Sequence, residues 1–277
     1  MSPTSRILFA GGCMVTGYPV GADISLARIA LRSLGHRASE APRVLPYVNL
    51  HSGPRIVEAC REQETEFLIL QLGHYETLRP FRKILFGGNK AKHNSSVSTS
   101  VPFVPDPKML YRPTLHHRFM NARRFVLAHA LAAAGQKKRA FDAAAAAAAL
   151  DGILLSLAPM PLRAVLLLSP FSCPDMVARA YRRELLPVFT AAAAKHKCLY
   201  VDVFGMLEDC RHHDSFVANF ADQFHLSRLG HQRVGMLVGQ SLRRVVREAN
   251  PAYLPTMAVW PPLPSLHLPP EAEAIAS

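Results

Sequence analysis

The side chains best suited to chemistry occur in four short segments, at residues 11–17, 49–53, 73–76 and 222–231. The first segment contains a cysteine, Cys13, and the last contains Asp222 and His225, three residues apart. A thiolate can act as a nucleophile, and an imidazole can accept and return a proton when a carboxylate fixes its tautomer. These residue types would support nucleophilic catalysis if the fold brought them together.

Strands that alternate with helices must position these segments. Apolar runs predict five strands, at residues 6–10, 44–50, 66–73, 163–170 and 198–204. Periodic segments predict helices between and after them, at residues 22–34, 55–63, 115–134, 142–149, 175–195 and 227–248. This alternation predicts a mostly parallel sheet covered on both faces, with ligands at the carboxyl ends of the strands. Each of the first three segments follows a predicted strand.

The order and spacing of the four segments resemble the conserved blocks of the SGNH (GDSL-type) hydrolases. They read Gly-Gly-Cys-Met-Val-Thr-Gly, Asn-Leu-His-Ser-Gly, Gly-His-Tyr-Glu and, before the last helix, Asp-Gln-Phe-His. The resemblance implies an α/β, three-layer flavodoxin-like fold with a mainly parallel five-stranded sheet. We expect one such domain over residues 1–250, carrying a basic loop and helix insert at 79–140, and a Pro-rich tail at 251–277.

The resemblance also implies roles for the first and last segments. Asp222 and His225 match the family's Asp-x-x-His, in which the carboxylate supports the general-base histidine. The family's Gly-Asp-Ser reads Gly-Gly-Cys here, so Cys13 occupies the nucleophile position and Gly12 replaces the acid. Cys13 is therefore either a catalytic nucleophile or a small packed side chain in an inactive relic.

Two further segments correspond to the family's oxyanion-binding groups. Gly53 matches the glycine whose backbone N–H helps to form the oxyanion hole. Tyr75 replaces the family's asparagine, and its neighbour His74 is the other candidate donor. Loss of one oxyanion donor commonly costs about two to three orders of magnitude in rate.

Two functions remain open on these residues. The first is an ester hydrolase or acyltransferase that acts on an acyl ester or thioester, on a small molecule or a carbohydrate, through Cys13, His225 and Asp222. The alternative is a catalytically inactive protein of the same fold that binds a carbohydrate or an acylated anionic ligand. Whether the chain is an enzyme is thus not decided by the sequence.

The excess positive charge is confined to one window. Residues 79–139 contain thirteen Lys and Arg residues against a single acid, Asp106, which accounts for the whole formal charge of +12. Such a patch attracts anions, and an acidic polysaccharide, an acyl carrier protein or a coenzyme A thioester would fit it better than nucleic acid. The alternative is a solubilising surface without a partner.

Other classes of site find little support in the sequence. No apolar run reaches the roughly 18–20 residues of a membrane span, and five scattered cysteines suit a reducing, cytoplasmic compartment. We predict no cofactor, because Gly87-Gly88-Asn89-Lys90 lacks the spacing of a phosphate loop. We also predict no metal site, since the histidine pairs at 116–117 and 212–213 have no matching set of ligands.

Overall fold

The computed structural model describes residues 6–35, 40–78, 104–135, 141–209 and 213–249. About half of the basic insert, at 79–103 and 136–140, lies outside the described residues, as does the Pro-rich tail at 251–277. The predictions made for these segments therefore stay predictions.

Five parallel strands form one sheet in the order β2-β1-β3-β4-β5. Their bounds are β1 Ile7–Ala10, β2 Arg43–Leu45, β3 Phe67–Gln71, β4 Ala164–Leu168 and β5 Leu199–Val201. Every residue of β1 and β3 is buried, as expected for parallel strands covered on both faces. The predicted second strand is shorter than expected: it ends at Leu45 because Pro46 has no N–H to donate.

Helices cover both faces of this sheet. They are α1 Cys13–Thr16, α2 Leu26–Ser33, α3 Gly53–Glu62, α4 Tyr75–Leu78, α5 Leu115–Ala133, α6 Ala143–Leu157, α7 Met176–Lys195, α8 Val203–Glu208, α9 His213–Val217 and α10 Arg228–Ala249, with a 3-10 turn at Ala22–Ile24. The predicted helix at 22–34 is divided because Ser25 caps α2, its Oγ accepting the Arg28 N–H at 3.2 Å. Asp142 and Asp175 cap α6 and α7, and their side chains accept N–H groups of these helices.

Alternate residues of the strands feed two separate cores. Phe9 and Ile69 pack with α2 and α10 on one face, whereas Leu8 and Leu70 pack with α3, α6 and α7 on the other. This is the three-layer α/β fold with a five-stranded parallel sheet that the sequence predicts. No helix in the described ranges is long and apolar enough to cross a membrane.

Helices α2 and α10 approach each other closely where α10 has glycine. A Cβ at Gly235 would lie 2.7 Å from Ile29 Cβ and 2.9 Å from the Leu26 carbonyl oxygen. These are shorter than van der Waals contacts, so only glycine permits this approach. The packing fixes α10, and with it the segment that precedes α10, against the sheet.

We expect Gly235→Ala to lower the free energy of unfolding by about 1–2 kcal/mol, because overpacking outweighs the gain in helix propensity. The matched control is Gly152→Ala in α6, where a Cβ would meet nothing within 4 Å. The control should be neutral or raise stability by up to about 1 kcal/mol. Urea unfolding of the three proteins measures both effects, and equal stability of Gly235→Ala and wild type would contradict the close packing.

Candidate active site

Three of the four segments that the sequence analysis singled out meet at the carboxyl ends of the strands. Cys13 is the first residue of α1, immediately after β1, and His74 with Tyr75 follows β3. His225 comes from the segment before α10. Sequence patterns did not predict α1, because four residues are too few to show helical periodicity. Cys13 therefore begins a short helix of its own instead of preceding the helix predicted at 22–34.

A chain of hydrogen bonds joins the residues predicted to be catalytic. Cys13 Sγ lies 3.1 Å from His225 Nε2, and His225 Nδ1 lies 2.7 Å from Asp222 Oδ2. With Nδ1–H donating to the carboxylate, Nε2 faces the sulfur and can take or return its proton. This is the order of nucleophile, base and orienting acid in a catalytic triad.

The backbone around Asp222 holds both partners in place. Its Oδ1 accepts the N–H groups of Phe224 at 2.7 Å and His225 at 2.8 Å. The Ala221 N–H donates to the His225 carbonyl at 2.8 Å, closing a short antiparallel bridge between Phe220 and Leu226. The carboxylate thus fixes the turn that carries the imidazole as well as the imidazole itself.

The environment favours the charged forms of the histidine and the carboxylate. Burial lowers the pKa of His225, but its hydrogen bonds to Asp222 and Cys13 and the charges of these groups outweigh burial and raise the pKa to about 9. Burial raises the pKa of Asp222, but the hydrogen bond and charge of His225 outweigh it, so the net pKa is lowered. The imidazole and the carboxylate, 2.7 Å apart, thus stabilise each other as an ion pair.

The two glycines before Cys13, Gly11 and Gly12, allow the side chain of Gln71 in β3 to lie close to Cys13. The Gly12 N–H donates to Gln71 Oε1 at 2.7 Å, and Gln71 is fully buried. A Cβ at Gly11 would lie 2.9 Å from Gln71 Cβ. Sequence analysis missed Gln71, although it is the one polar residue in the apolar run at 67–72 and could have been noticed for that reason.

His74 and Tyr75 lie on the same side of the site as Cys13. His74 is only 1% exposed, and neither of its ring nitrogens has a hydrogen-bond partner in the described chain. Burial, and then the positive charges of Arg182 and His225, hold the pKa of His74 well below its usual range. Burial, and then the neighbouring Cys13, raises the pKa of Tyr75. Both candidate donors therefore remain uncharged beside Cys13, with His74 buried and Tyr75 half-buried.

Gly53 occupies a different position from the other predicted site residues. It begins α3, and a Cβ there would lie 3.3 Å from Ile153 of α6. Within the described ranges, no hydrogen bond joins Gly53 to Cys13 or His225. The second segment is linked to the third instead by the Leu50 N–H, which donates to Glu76 Oε1 at 2.6 Å. The oxyanion role of Gly53 remains a prediction.

The histidines and cysteines of the described ranges differ sharply in their surroundings. His116 is exposed, and His117 Nδ1 lies 3.0 Å from Thr114 Oγ1, whereas the 212–213 side chains lie outside the described residues. Among the residues that the structure describes, one group of three could hold a metal ion: ligand atoms of Cys13, His74 and His225 lie within 4.8 Å of one another. The four described cysteines are free thiols.

The fold is similar to those of three solved lipolytic and esterase structures. A member of the lipolytic protein G-D-S-L family from Veillonella parvula is 12% identical, with a TM-score of 0.50 over 86% of this chain and 98% of that one. A catalytic mutant of an acetylxylan esterase from Geobacillus stearothermophilus is 12% identical, with a TM-score of 0.52 over 86% and 93%. The native aryl esterase of M. smegmatis is 12% identical, with a TM-score of 0.52 over 87% and 99%.

These likenesses show that the chain has the SGNH hydrolase fold implied by its four segments. No protein-family model matches the chain, and no curated protein sequence matches it. Since unrelated activities can share a fold, what the chain does must be argued from its own site.

Iodoacetamide should label Cys13 before the other described cysteines, because His225 Nε2 lies 3.1 Å from its sulfur and can accept the thiol proton. Burial raises the pKa of Cys60, Cys173 and Cys198 to about 11 each, so their thiols stay protonated at neutral pH. Peptide mass spectrometry in the presence of a chelator gives the rate at each site.

His225→Ala should slow the labelling of Cys13, and His116→Gln, at an exposed histidine, is the matched control. Labelling of Cys13 no faster than that of Cys198, or unaffected by His225→Ala, would contradict activation of the thiol.

Proposed function

We propose that the chain is an ester hydrolase or acyltransferase in which Cys13 is the nucleophile, His225 the general base and Asp222 its orienting acid. The observation that carries the proposal is the 3.1 Å separation of Cys13 Sγ and His225 Nε2, with Asp222 on the opposite ring nitrogen. The fold supports a substrate in the class of small-molecule or carbohydrate acyl esters.

The first half of the reaction forms a thioester. Cys13 Sγ attacks the carbonyl carbon of the ester, and the sulfur's proton resides on His225 Nε2. As the tetrahedral intermediate collapses, the carbon–oxygen bond to the leaving group breaks and His225 returns its proton to the leaving oxygen. The acyl group is then attached to Cys13, and Asp222 stabilises the imidazolium while it exists.

The negative charge on the carbonyl oxygen needs donors beside the nucleophile. As the first residue of α1, Cys13 has an N–H without a carbonyl partner in that helix. His74, neutral and unpartnered, and Tyr75 are placed to supply a side-chain donor where the family has asparagine. We assign the oxyanion to the Cys13 N–H with one of these two side chains, and with Gly53 if α3 contributes.

The second half of the reaction decides between hydrolysis and transfer. Either water or an acceptor hydroxyl, amine or thiol gives its proton to His225 and attacks the thioester carbonyl, which releases Cys13. A thioester reacts readily with acceptors other than water, so a cysteine nucleophile suits both outcomes. The names of two structural neighbours, an acetylxylan esterase and an aryl esterase, favour acetylated sugars and aryl acetates as first probes.

Cys13→Ala and His225→Ala should each lower p-nitrophenyl acetate turnover by about 10³-fold or more, because either change removes a reacting group. Asp222→Asn should lower it by about 10²- to 10⁴-fold through the wrong imidazole tautomer. Cys13→Ser should keep measurable turnover, and Cys198→Ser is the control that removes a thiol outside the site. Steady-state kinetics give the rates, and intact-protein mass spectrometry should detect an acetyl adduct on Cys13.

Absence of both turnover and adduct in the wild-type protein would overturn the proposal in favour of the binding alternative. That alternative predicts that acylated or carbohydrate ligands bind with equal affinity to wild type and to Cys13→Ser.

We also propose that the basic insert receives an anionic partner. Its described portion contributes exposed Arg118 and Arg123 on α5, and Arg118 borders a groove shared with Arg179, Arg183 and Phe216. Arg124 is less suited to this role, because it is already paired with Asp175 at 2.9 Å. The groove suits an acidic polysaccharide, an acyl carrier protein or a coenzyme A thioester, which combine negative charge with further contact area.

Replacing Arg118 and Arg123 with glutamine should weaken binding of such an anion and reduce its dependence on salt. Arg55→Gln with Arg61→Gln is the matched control, since it removes the same charge from exposed positions on α3. Binding of each anion class at low and at physiological ionic strength measures the effect. If both double variants lost the same affinity for the anion, the basic patch would contribute only general surface charge and not a specific site.

A further inference from the structure

The buried imidazole of His74 has no partner that explains it. It is 1% exposed, and both ring nitrogens lack hydrogen bonds among the described residues. Buried polar atoms are nearly always paired, and leaving one unpaired costs about 1–3 kcal/mol. A ligand that bonds to a ring nitrogen of His74 would remove that cost.

The atoms around His74 have the composition and spacing of a metal site. Cys13 Sγ, a ring nitrogen of His74 and a ring nitrogen of His225 lie within 4.8 Å of one another, and two of these atoms are 3.1 Å apart. Ligand atoms of a tetrahedral zinc ion, with bonds of about 2.0–2.3 Å, are separated by roughly 3.3–3.8 Å. Small side-chain rotations would therefore bring all three atoms to bonding distance.

The contact of His225 with Asp222 is also typical of a histidine that binds a metal. Histidine ligands almost always donate their second ring N–H to a carboxylate or carbonyl, which orients the coordinating nitrogen. His225 Nδ1 faces Asp222 at 2.7 Å, which leaves Nε2 directed at the three-atom cluster. The carboxylate that orients a catalytic base would equally orient a zinc ligand.

We propose that Cys13, His74 and His225 form a binding site for Zn²⁺ or a similar thiophilic divalent ion, and that its occupancy reversibly inhibits the enzyme. When the metal binds, the proton shared by Cys13 and His225 is released to solvent. The metal then forms bonds to Sγ and to two imidazole nitrogens. The fourth position stays open to water. The sequence prediction of no metal site considered neighbouring histidine pairs and missed this set, whose members lie 61 and 151 residues apart along the chain.

Charge balance makes the thiolate the essential ligand. Fully buried Arg182 donates to Thr77 Oγ1 at 3.0 Å, and its positive charge acts on His74. A divalent cation next to this guanidinium needs the negative sulfur, so loss of Cys13 should weaken binding more than loss of His74. The inhibitory part of the proposal rests on the proposed function, whereas metal binding itself does not.

Cobalt(II) titration of the chelator-treated protein tests the site without any substrate. We expect one ion per chain, intense visible bands of tetrahedral cobalt, and a near-ultraviolet thiolate-to-cobalt charge-transfer band. Cys13→Ser should abolish that band, and His74→Leu should weaken binding by at least the 10–100-fold typical of losing a residue that only orients a metal ligand. Cys198→Ser and His116→Gln, which alter residues outside the cluster, should leave the spectrum unchanged.

Zinc should also protect Cys13 from iodoacetamide, and circular dichroism should show that His74→Leu is folded. Octahedral spectra without the charge-transfer band, or binding indifferent to His74→Leu in a folded protein, would overturn the site.

Turnover separates the two proposals. If the esterase is active, stoichiometric zinc should abolish p-nitrophenyl acetate hydrolysis and a chelator should restore it. Zinc-dependent gain of turnover would overturn the inhibitory role. Tetrahedral cobalt in a protein without any turnover would uphold the site while rejecting the proposed function.

Discussion

The hydrogen bonds accepted by one carboxylate set the geometry on which the rest of the site depends. Asp222 accepts two backbone N–H groups from its own turn and the Nδ1–H of His225, so the turn and the imidazole share one anchor. Without these bonds the His225 ring could rotate, and Nε2 would no longer face Cys13. The same anchor suits both roles proposed for His225, a proton-transferring base and a metal ligand, because both require an imidazole nitrogen with a fixed direction.

The departures from the family's first and third blocks are physically connected. Gly12 stands where an acid is usual, and a Cβ there would lie 3.2 Å from Gln71 Oε1 and 3.5 Å from the Tyr75 hydroxyl. A Cβ at position 12 would therefore be in ordinary contact with the Tyr75 ring and tight only against Gln71, which accepts the Gly12 N–H. Gly12 and Tyr75 thus pack against each other on one wall of the site.

Apolar runs were sufficient to predict the sheet, since β1 and β3 are buried along their whole length and β4 is buried from its third residue on. They overestimated β2, where Pro46 ends pairing and Tyr47 adopts a positive φ of 58°. The triad-like order of Cys13, His225 and Asp222 followed from the resemblance. The resemblance did not predict the role of Gln71 or the closeness of His74 to Cys13. Both depend on the register of β3 beside β1, which the spacing of residues along the chain does not encode.

Cys13 and His225 belong to elements of different kinds. Cys13 lies three residues after β1, which is paired on both sides, whereas His225 belongs to a turn outside the sheet that its own hydrogen bonds and the bridge between Phe220 and Leu226 hold. Proteins open locally at free energies well below that of global unfolding, and segments outside core strands and helices commonly open before them. Opening of the 220–226 turn would separate His225 from Cys13 while the sheet stays paired. Local opening of this turn, which amide hydrogen exchange measures, and not the melting of the domain, would then set the temperature at which the two side chains part.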